Sequence, residues 1–409
     1  MTDNNSIRHE IPTRRDYLKG GSALLGGGLL AGCLGGDDSS EDPTNSTTSS
    51  ETATDTSTNT SMADGSYTVS MAPMGAVEFD SPPESIFTRL THLAGMAFAL
   101  GRGNDVNAMH APEYYDALWN QFTPRLDGVS LDWTGLYSSW EPDKEKLYEL
   151  DSDVHLADPA SVFALQGWNM ADIEEVADNI SPWFGNQFSD SHSAPPDEWA
   201  DQYEYYGLWE MFEKVAAVFQ AEDRYQALAD VHDDLLSTIE SGLPPEPERP
   251  AAVMIGASDL DSIYAYPLDN PGFLTAHTTP LEPVSAFSED VESTSTVGME
   301  ALREANPEVI FALGGMHPET SITDIRNGFS DDAVGQQIQG VQNDRIYAQG
   351  ARYQGPILNL FQVEMTAKQL YPDTFGEWPT YTEGPYPEIS ADEQLFDRQR
   401  VANIINGEF

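Results

Sequence analysis

The chain has 409 residues, of which 19 are Lys or Arg and 68 are Asp or Glu, giving a formal net charge of −49. That balance excludes nucleic acid as a natural partner, because phosphate binding needs clustered Lys and Arg, and it argues against an electrostatic hold on anionic lipid. A chain of this length buries a sizeable core and has room for two lobes. The single cysteine, Cys33, makes no intramolecular disulfide, and no run of about 18 apolar residues forms an ordinary transmembrane span.

Near the start, Thr13–Lys19 (TRRDYLK) carries the pair Arg14 and Arg15 and resembles a twin-arginine export signal. The apolar run Ala23–Leu30 is too short to span a bilayer and suits the middle of a signal peptide. Leu30–Cys33 (LAGC) resembles a lipobox, in which the signal is cut before a cysteine that then carries lipid. Residues 1–33 are therefore expected to be an export signal. Residues 34–65 are rich in Ser, Thr and acids and nearly free of large apolar side chains, so they cannot bury enough surface to fold and read as a solvated tether.

An N-terminal α/β lobe is expected over 66–203. Tyr67–Asp80 alternates around Pro73 and Gly75 and reads as a hairpin. Ser85–Thr88 is a strand, a helix follows from about His92 to Leu100, and Gly101 and Gly103 end it. Val106–Met109 is a further short strand, and His110–Trp119 opens a loop and a helix. The phrase Pro142–Asp158 reads as a short helix with an early acid, a turn, and the buried strand Val154–Leu156.

Tyr205–Leu243 is the longest periodic stretch. Trp209, Phe212, Ala216 and Phe219, then Leu228, Val231, Leu235 and Ile239, recur at helical spacing, with a polar break at Gln220–Arg224 suited to a bend. If mostly helical, its ~39 residues reach ~58 Å, making 204–243 a connecting helix. A C-terminal α/β lobe is expected over 244–409. It contains the strands Ala251–Gly256, Val309–Leu313 and Arg345–Ala348 and a helix over Gln354–Leu370. Met299–Leu313 repeats the helix–turn–strand phrase of the first lobe. Two similar halves around one long helix predict two lobes on a stiff spine with mostly parallel sheets. The alternative is a single large α/β domain with a long surface helix.

Aromatic and histidine side chains gather in the loops that follow strands. His110, Tyr114, Tyr115, Trp133, Tyr137, Trp140 and Trp168 lie in the first half. Tyr264, Tyr266, Phe273, His277, Arg352 and Tyr353 lie in the second. Large flat side chains give a bulky chelate or macrocycle much contact at low entropic cost. Ordinary core packing is the competing explanation for any one of them. There is no Gly-x-Ser-x-Gly elbow, phosphate-cradling glycine loop or His-Glu-x-x-His pair, so the sequence gives no sign of an enzyme and no catalytic residue is assigned.

Six phrases, in order, resemble the substrate-binding lipoproteins of ABC importers in the iron–siderophore/cobalamin class. They are Gly75–Ile86 (GAVEFDSPPESI), Ala99–Val106 (ALGRGNDV), Glu145–Val154 (EKLYELDSDV), the long helical stretch, Glu300–Ile310 (EALREANPEVI) and Asp344–Tyr347 (DRIY). The acidic, lysine-poor composition is similar to that of halophilic archaeal proteins. The resemblance implies two Rossmann-like lobes bridged by one helix, with the ligand in the cleft between them and no cofactor. It implies ligand contacts from His110, Tyr114, Tyr137, Trp140, Trp168, Tyr266, His277, Arg352 and Tyr353. In some family members a second-lobe His and Tyr complete the coordination of the ferric ion, and His277 and Tyr353 stand where those fall. Glu145 and Glu300 open the repeated phrases and are implied to meet arginines of the membrane permease. The expected partners are the permease with its ATPase and a small-molecule metal chelate, for a monomer lipid-anchored through Cys33 on the outer face of the cell membrane. Iron–siderophore members often place arginines in the cleft, and this chain has few. Other readings are a corrinoid or haem binder of the same fold, an extracellular hydrolase and a surface adhesion protein.

Overall fold

The computed structural model describes residues 60–61 and 65–409, apart from 257–259, 261, 269 and 289–290. The export signal with Arg14 and Arg15, the lipidation site Cys33 and the tether up to residue 59 lie outside the described residues. Strands β1 (Thr60–Ser61), β2 (Tyr67–Met71) and β3 (Gly75–Phe79) form a small antiparallel sheet. The expected hairpin is β2 and β3. The end of the expected tether departs from the sequence reading, because the Thr60 and Ser61 backbones pair with Thr68 and Tyr67.

The first lobe runs β4 (Ile86–Thr88), α1 (Thr91–Ala99), β5 (Val106–Met109), α2 (Pro112–Trp119), β6 (Tyr137–Ser138), α3 (Lys144–Leu150), β7 (Val154–Leu156) and α4 (Met170–Asn179). Its sheet has the order β6-β5-β4-β7 and every pair is parallel. Strands covered by helices on both faces lose the in–out alternation. Accordingly all three residues of β4 and all three of β7 are buried.

The connection differs from the single 58 Å spine expected over 204–243. It is two helices, α5 (Leu208–Val218) and α6 (Glu222–Gly242), of 11 and 21 residues. They fold back on each other: Trp209 near the start of α5 stacks on His232 in mid-α6 at 4.1 Å, and Phe212 meets Tyr225 at 5.4 Å. The reversal occurs at the polar break, where Gln220 takes a left-handed φ of 49°. A straight helix would leave the apolar stripes of both halves searching for cover, whereas the reversal lets each cover the other. α6 alone spans ~32 Å.

The second lobe runs β8 (Ala251–Gly256), β9 (Ile263–Tyr266), β10 (Val284–Ser285), β11 (Thr296–Val297), α7 (Met299–Ala305), β12 (Val309–Leu313), α8 (Ile322–Asp331), β13 (Ile346–Ala348), α9 (Pro356–Leu370) and α10 (Arg398–Asn406). Its sheet has the order β11-β9-β8-β12-β13, with β10 beside the first part of β8. β8, β10, β12 and β13 are parallel, β9 is antiparallel to β8, and β11 is antiparallel to β9 and so runs in the direction of β8. The two repeated phrases fold alike. α3 and α7 are each seven residues long and end on a left-handed Asp151 (φ 46°) or Asn306 (φ 43°), residue types that tolerate this conformation. Each is followed by a buried strand, β7 or β12.

α9 is buried along its whole length. Its polar side chains find internal partners: Glu364 accepts from Arg398 (2.6 Å) and Tyr386 (2.8 Å), and Lys368 donates to the Phe375 carbonyl (2.6 Å). α9 packs on α1 of the first lobe. At this crossing Gly95 and Gly355 meet so closely that a Cβ on Gly355 would lie 2.7 Å from the Gly95 Cα. The chain beyond α9 returns to the first lobe, where the Tyr386 amide donates to the Gln121 carbonyl (2.7 Å) and Asn406 Nδ2 to the Asp127 carbonyl (3.1 Å). The expected boundary at 244–409 therefore joins a lobe to a strap across both lobes, and the described residues form one compact unit.

Candidate functional site

In both lobes the residues just past the carboxyl ends of the parallel strands converge on one seam, the place where open α/β sheets hold ligands. Arg89 follows β4, His110 follows β5, Trp140 follows β6 and Asp158 follows β7. From the other side come His317 after β12 and Arg352 and Tyr353 after β13.

Arg352 stands at the centre. Its guanidinium carbon is 4.9 Å from the Tyr266 ring centroid and 5.7 Å from that of Tyr353. Its Nη2 is 3.4 Å from Ser293 Oγ. Burial works against its charge, yet Tyr353, Tyr266, Asp190 and Tyr115 together hold it above the usual arginine value. Asp190, a buried carboxylate of the first lobe, accepts a hydrogen bond from the Tyr353 hydroxyl of the second lobe at 3.1 Å. Burial pushes the Asp190 carboxyl up to about 6, opposed by the His192 amide, the Arg352 charge and the Tyr353 hydroxyl.

An aromatic row runs along the first-lobe side. Arg89, 2% exposed, lies 4.9 Å from the Trp140 ring centroid and donates through Nη1 to Ser161 Oγ (3.0 Å) and Gln187 Oε1 (2.6 Å). Trp140 meets His110 at 4.5 Å, and His110 meets Tyr115 at 5.7 Å. Tyr115 meets Tyr114 edge-on at 5.2 Å. Tyr114 then crosses the seam and stacks on His317 at 4.0 Å and 8° between planes. His92 of α1 is fully buried and lies 4.5 Å from Phe273 and 5.8 Å from Tyr353, both in the second lobe. Neither nitrogen of the His92 ring has a hydrogen bond, and burial lowers its pKa to about 3.

The structure thus brings together His110, Tyr114, Trp140, Tyr266, Arg352 and Tyr353 from the sequence expectations. Three others lie apart from this row. Tyr137 is in the edge strand β6 with Lys146 Nζ 5.5 Å from its ring. Trp168 donates to the Pro142 carbonyl (3.0 Å) and packs at 6.4 Å on Trp183 in the first-lobe core. His277 is fully buried, its Nδ1 2.7 Å from Gln354 Nε2, and burial lowers its pKa to about 3. Among the described residues no group of three or more His, Cys, Asp or Glu side chains is arranged to hold a metal ion. His277 Nδ1 is engaged by Gln354 and the Tyr353 hydroxyl by Asp190, while His277 Nε2 is buried without a hydrogen-bond partner.

Sequence reasoning missed Arg89, His92, Asp190 and His317. Arg89 was findable, because it directly follows the apolar strand Ile86–Thr88. Nothing local marks Asp190 or His92, whose roles come from contacts across the lobes. Glu145 and Glu300 each stand second in α3 and α7 and are exposed; Glu300 Oε2 accepts from Arg303 Nε at 3.0 Å.

A family model described as periplasmic binding protein matches residues 123–353. No curated protein matches the chain. Solved structures that share its fold include three binding proteins. One is a periplasmic binding protein from Veillonella parvula, 14% identical over 73% of this chain and 88% of that one, with a TM-score of 0.52. Another is the iron uptake ABC transporter substrate-binding protein PiuA from Streptococcus pneumoniae, 16% identical over 77% and 100%, with a TM-score of 0.50. The third is the petrobactin-binding protein YclQ from Bacillus subtilis, 14% identical over 75% and 99%, with a TM-score of 0.52.

Proposed function

The chain belongs to the periplasmic binding protein family, whose model covers more than half of it, and we propose that it captures an iron(III)-siderophore-type chelate and delivers it to the permease of an ABC importer. The observation that carries this reading is Arg352, held between Tyr266 and Tyr353 and facing the first-lobe aromatic row across the seam. A siderophore chelate is bulky, flat in its aryl or hydroxamate arms and commonly anionic. Aromatic faces supply the contact area and a buried guanidinium supplies charge-assisted hydrogen bonds to chelate oxygens. Arg89 adds a second buried guanidinium over an aromatic ring from the opposite lobe. In a protein of net charge −49, two buried guanidiniums share this seam with the Asp190 and Asp158 carboxyls, which burial pushes toward their neutral forms, a balance suited to an anion.

The chelate carries its own ligand atoms, so this reading needs no metal cluster from the protein. Glu145 and Glu300, at matched positions in the two lobes, are proposed to dock the permease. Arg14, Arg15 and Cys33 are proposed to direct export and lipid anchoring on the outer face of the membrane. The acidic surface suits concentrated salt, where self-repulsion is screened.

The test is the mass and absorption spectrum of the ligand that copurifies with protein made in its native host, together with titration of the stripped protein. A charge-transfer band of a ferric catecholate or hydroxamate is expected. A Soret band or a corrinoid spectrum, with no saturable binding of ferric siderophores, would replace the siderophore reading by a haem or corrinoid one.

A further inference from the structure

Beside the connecting helices the two lobes leave a hollow of about 1240 Å³. It shares Phe273 with the seam, but Arg352, Tyr266 and Tyr115 do not line it, so it is separate from the chelate site. One wall is aromatic. Tyr205 stands there 60% exposed, an unusual position for a large aromatic side chain. Next to it Trp209 is fixed in place, with its ring on His232 at 4.1 Å and its Nε1 donating to Asn359 Oδ1 at 2.9 Å. Ser189, Ser191 and Asn270 add hydrogen-bonding groups.

The charge of the lining has one sign. Its charged side chains are Glu210 and Glu282, and burial lowers the His232 pKa to about 4, which leaves that ring neutral near pH 7. Arg249 pairs with Glu282, so Glu210 is the carboxylate less committed, bonded at 3.3 Å to the Gly207 amide at the head of α5. Lys214 Nζ, outside the lining, lies 4.8 Å from the Tyr206 ring centroid, so that ring face is taken and the aromatic faces left for a ligand are those of Tyr205 and Trp209.

From this combination of an aromatic wall, hydroxyl and amide groups and carboxylates of one sign, we propose that the hollow is a second small-molecule site. Its ligand is an organic cation with an aromatic body. The ring of the ligand packs on Trp209, and its cationic head lies over the face of Tyr205 and near Glu210. Cation–π attraction and the carboxylate act on the same group. A metal ion is a poorer occupant, because it needs several oxygen or nitrogen donors around one point and no such group exists among the described residues.

The experiment is calorimetric titration of the full chain with benzyltrimethylammonium at constant ionic strength, compared with benzyl alcohol and with tetramethylammonium. Saturable one-to-one binding is expected, at least about three-fold tighter than either comparison compound. Tyr205→Ala and Glu210→Gln are each expected to weaken it about three- to ten-fold. Both side chains are exposed, and glutamine at the third helical position keeps the capping bond to Gly207, so both variants retain the fold. No saturable binding, benzyl alcohol binding as tightly as the cation, or affinity unchanged in both variants would overturn the proposal. None of these results bears on the chelate site, whose titration is separate.

Discussion

At the scale of single residues, the seam is defined by polar groups in places where burial is costly. His92 and His277 are both held neutral by burial, each with a pKa lowered to about 3. In an unfolded chain each would take a proton near pH 6.5. The unfolded state therefore binds more protons between pH 6.5 and 3, and stability is lost as pH falls through that window. His155 and His232, lowered to about 4, act in the same direction. Asp190, raised to about 6, acts oppositely, because its folded form holds a proton that the unfolded form has released. Asp158, raised by burial, acts in the same direction as Asp190; four histidines outweigh two carboxyls, so the urea midpoint is expected to fall from pH 6.5 to pH 4. His92→Phe, which keeps a ring between Phe273 and Tyr353, should remove up to one proton from that slope, ~1.4 kcal/mol per pH unit. A slope unchanged in the variant would show that His92 is hydrated or already charged in the folded state. Sequence alone marked His277 but not His92, because a histidine inside an apolar helix reads as local composition until its neighbours across the seam are known.

At the scale of elements, the legible parts were those written in short-range pattern. The hairpin β2–β3, helix α1, the buried strands and both helix–turn–strand repeats follow from periodicity and turn residues within a few positions. The repeats are the clearest case, with α3 and α7 equal in length and both ended by a left-handed Asp or Asn. Glu145 and Glu300 occupy the same place in each. Their replacement by Ala, singly and together, is expected to leave ligand affinity of the isolated protein within about two-fold while uptake falls, most in the double variant; charge-assisted pairs with permease arginines are the physical basis. Uptake unchanged in the double variant would reduce them to helix-start residues. The connection was only half legible. Its helical periodicity and polar break were visible, but whether the break bends or reverses depends on Trp209 finding His232, 23 positions away. Gln220 sits in left-handed backbone at that reversal, a conformation that costs a residue with a Cβ about 1 kcal/mol. Gln220→Gly is therefore expected to raise stability by roughly 0.5–1 kcal/mol, read as a higher denaturant midpoint. A lower midpoint would mean that the loss of chain stiffness outweighs the relief.

At the scale of the whole molecule, the lobes are held by more than the connecting helices. The Gly95–Gly355 crossing, the Tyr353–Asp190 bond, the Tyr114–His317 stack and the returning C-terminal strap all tie one lobe to the other. Rotation about a hinge would break several of these at once, so ligand entry is expected to proceed by small local opening of the seam. Scattering curves with and without ligand should give radii of gyration equal within about 1 Å, and a larger contraction would reveal a hinge. The central claim, that this seam binds an anionic metal chelate, is tested most directly by titrating the stripped full chain and its Arg352→Ala variant with a ferric catecholate siderophore, following tryptophan fluorescence. Saturable binding by the wild type, weakened at least about ten-fold in Arg352→Ala as expected for loss of a charged hydrogen-bond donor, is the predicted result. Equal affinity in the two proteins, or no saturable binding of any ferric siderophore by the wild type, would contradict it.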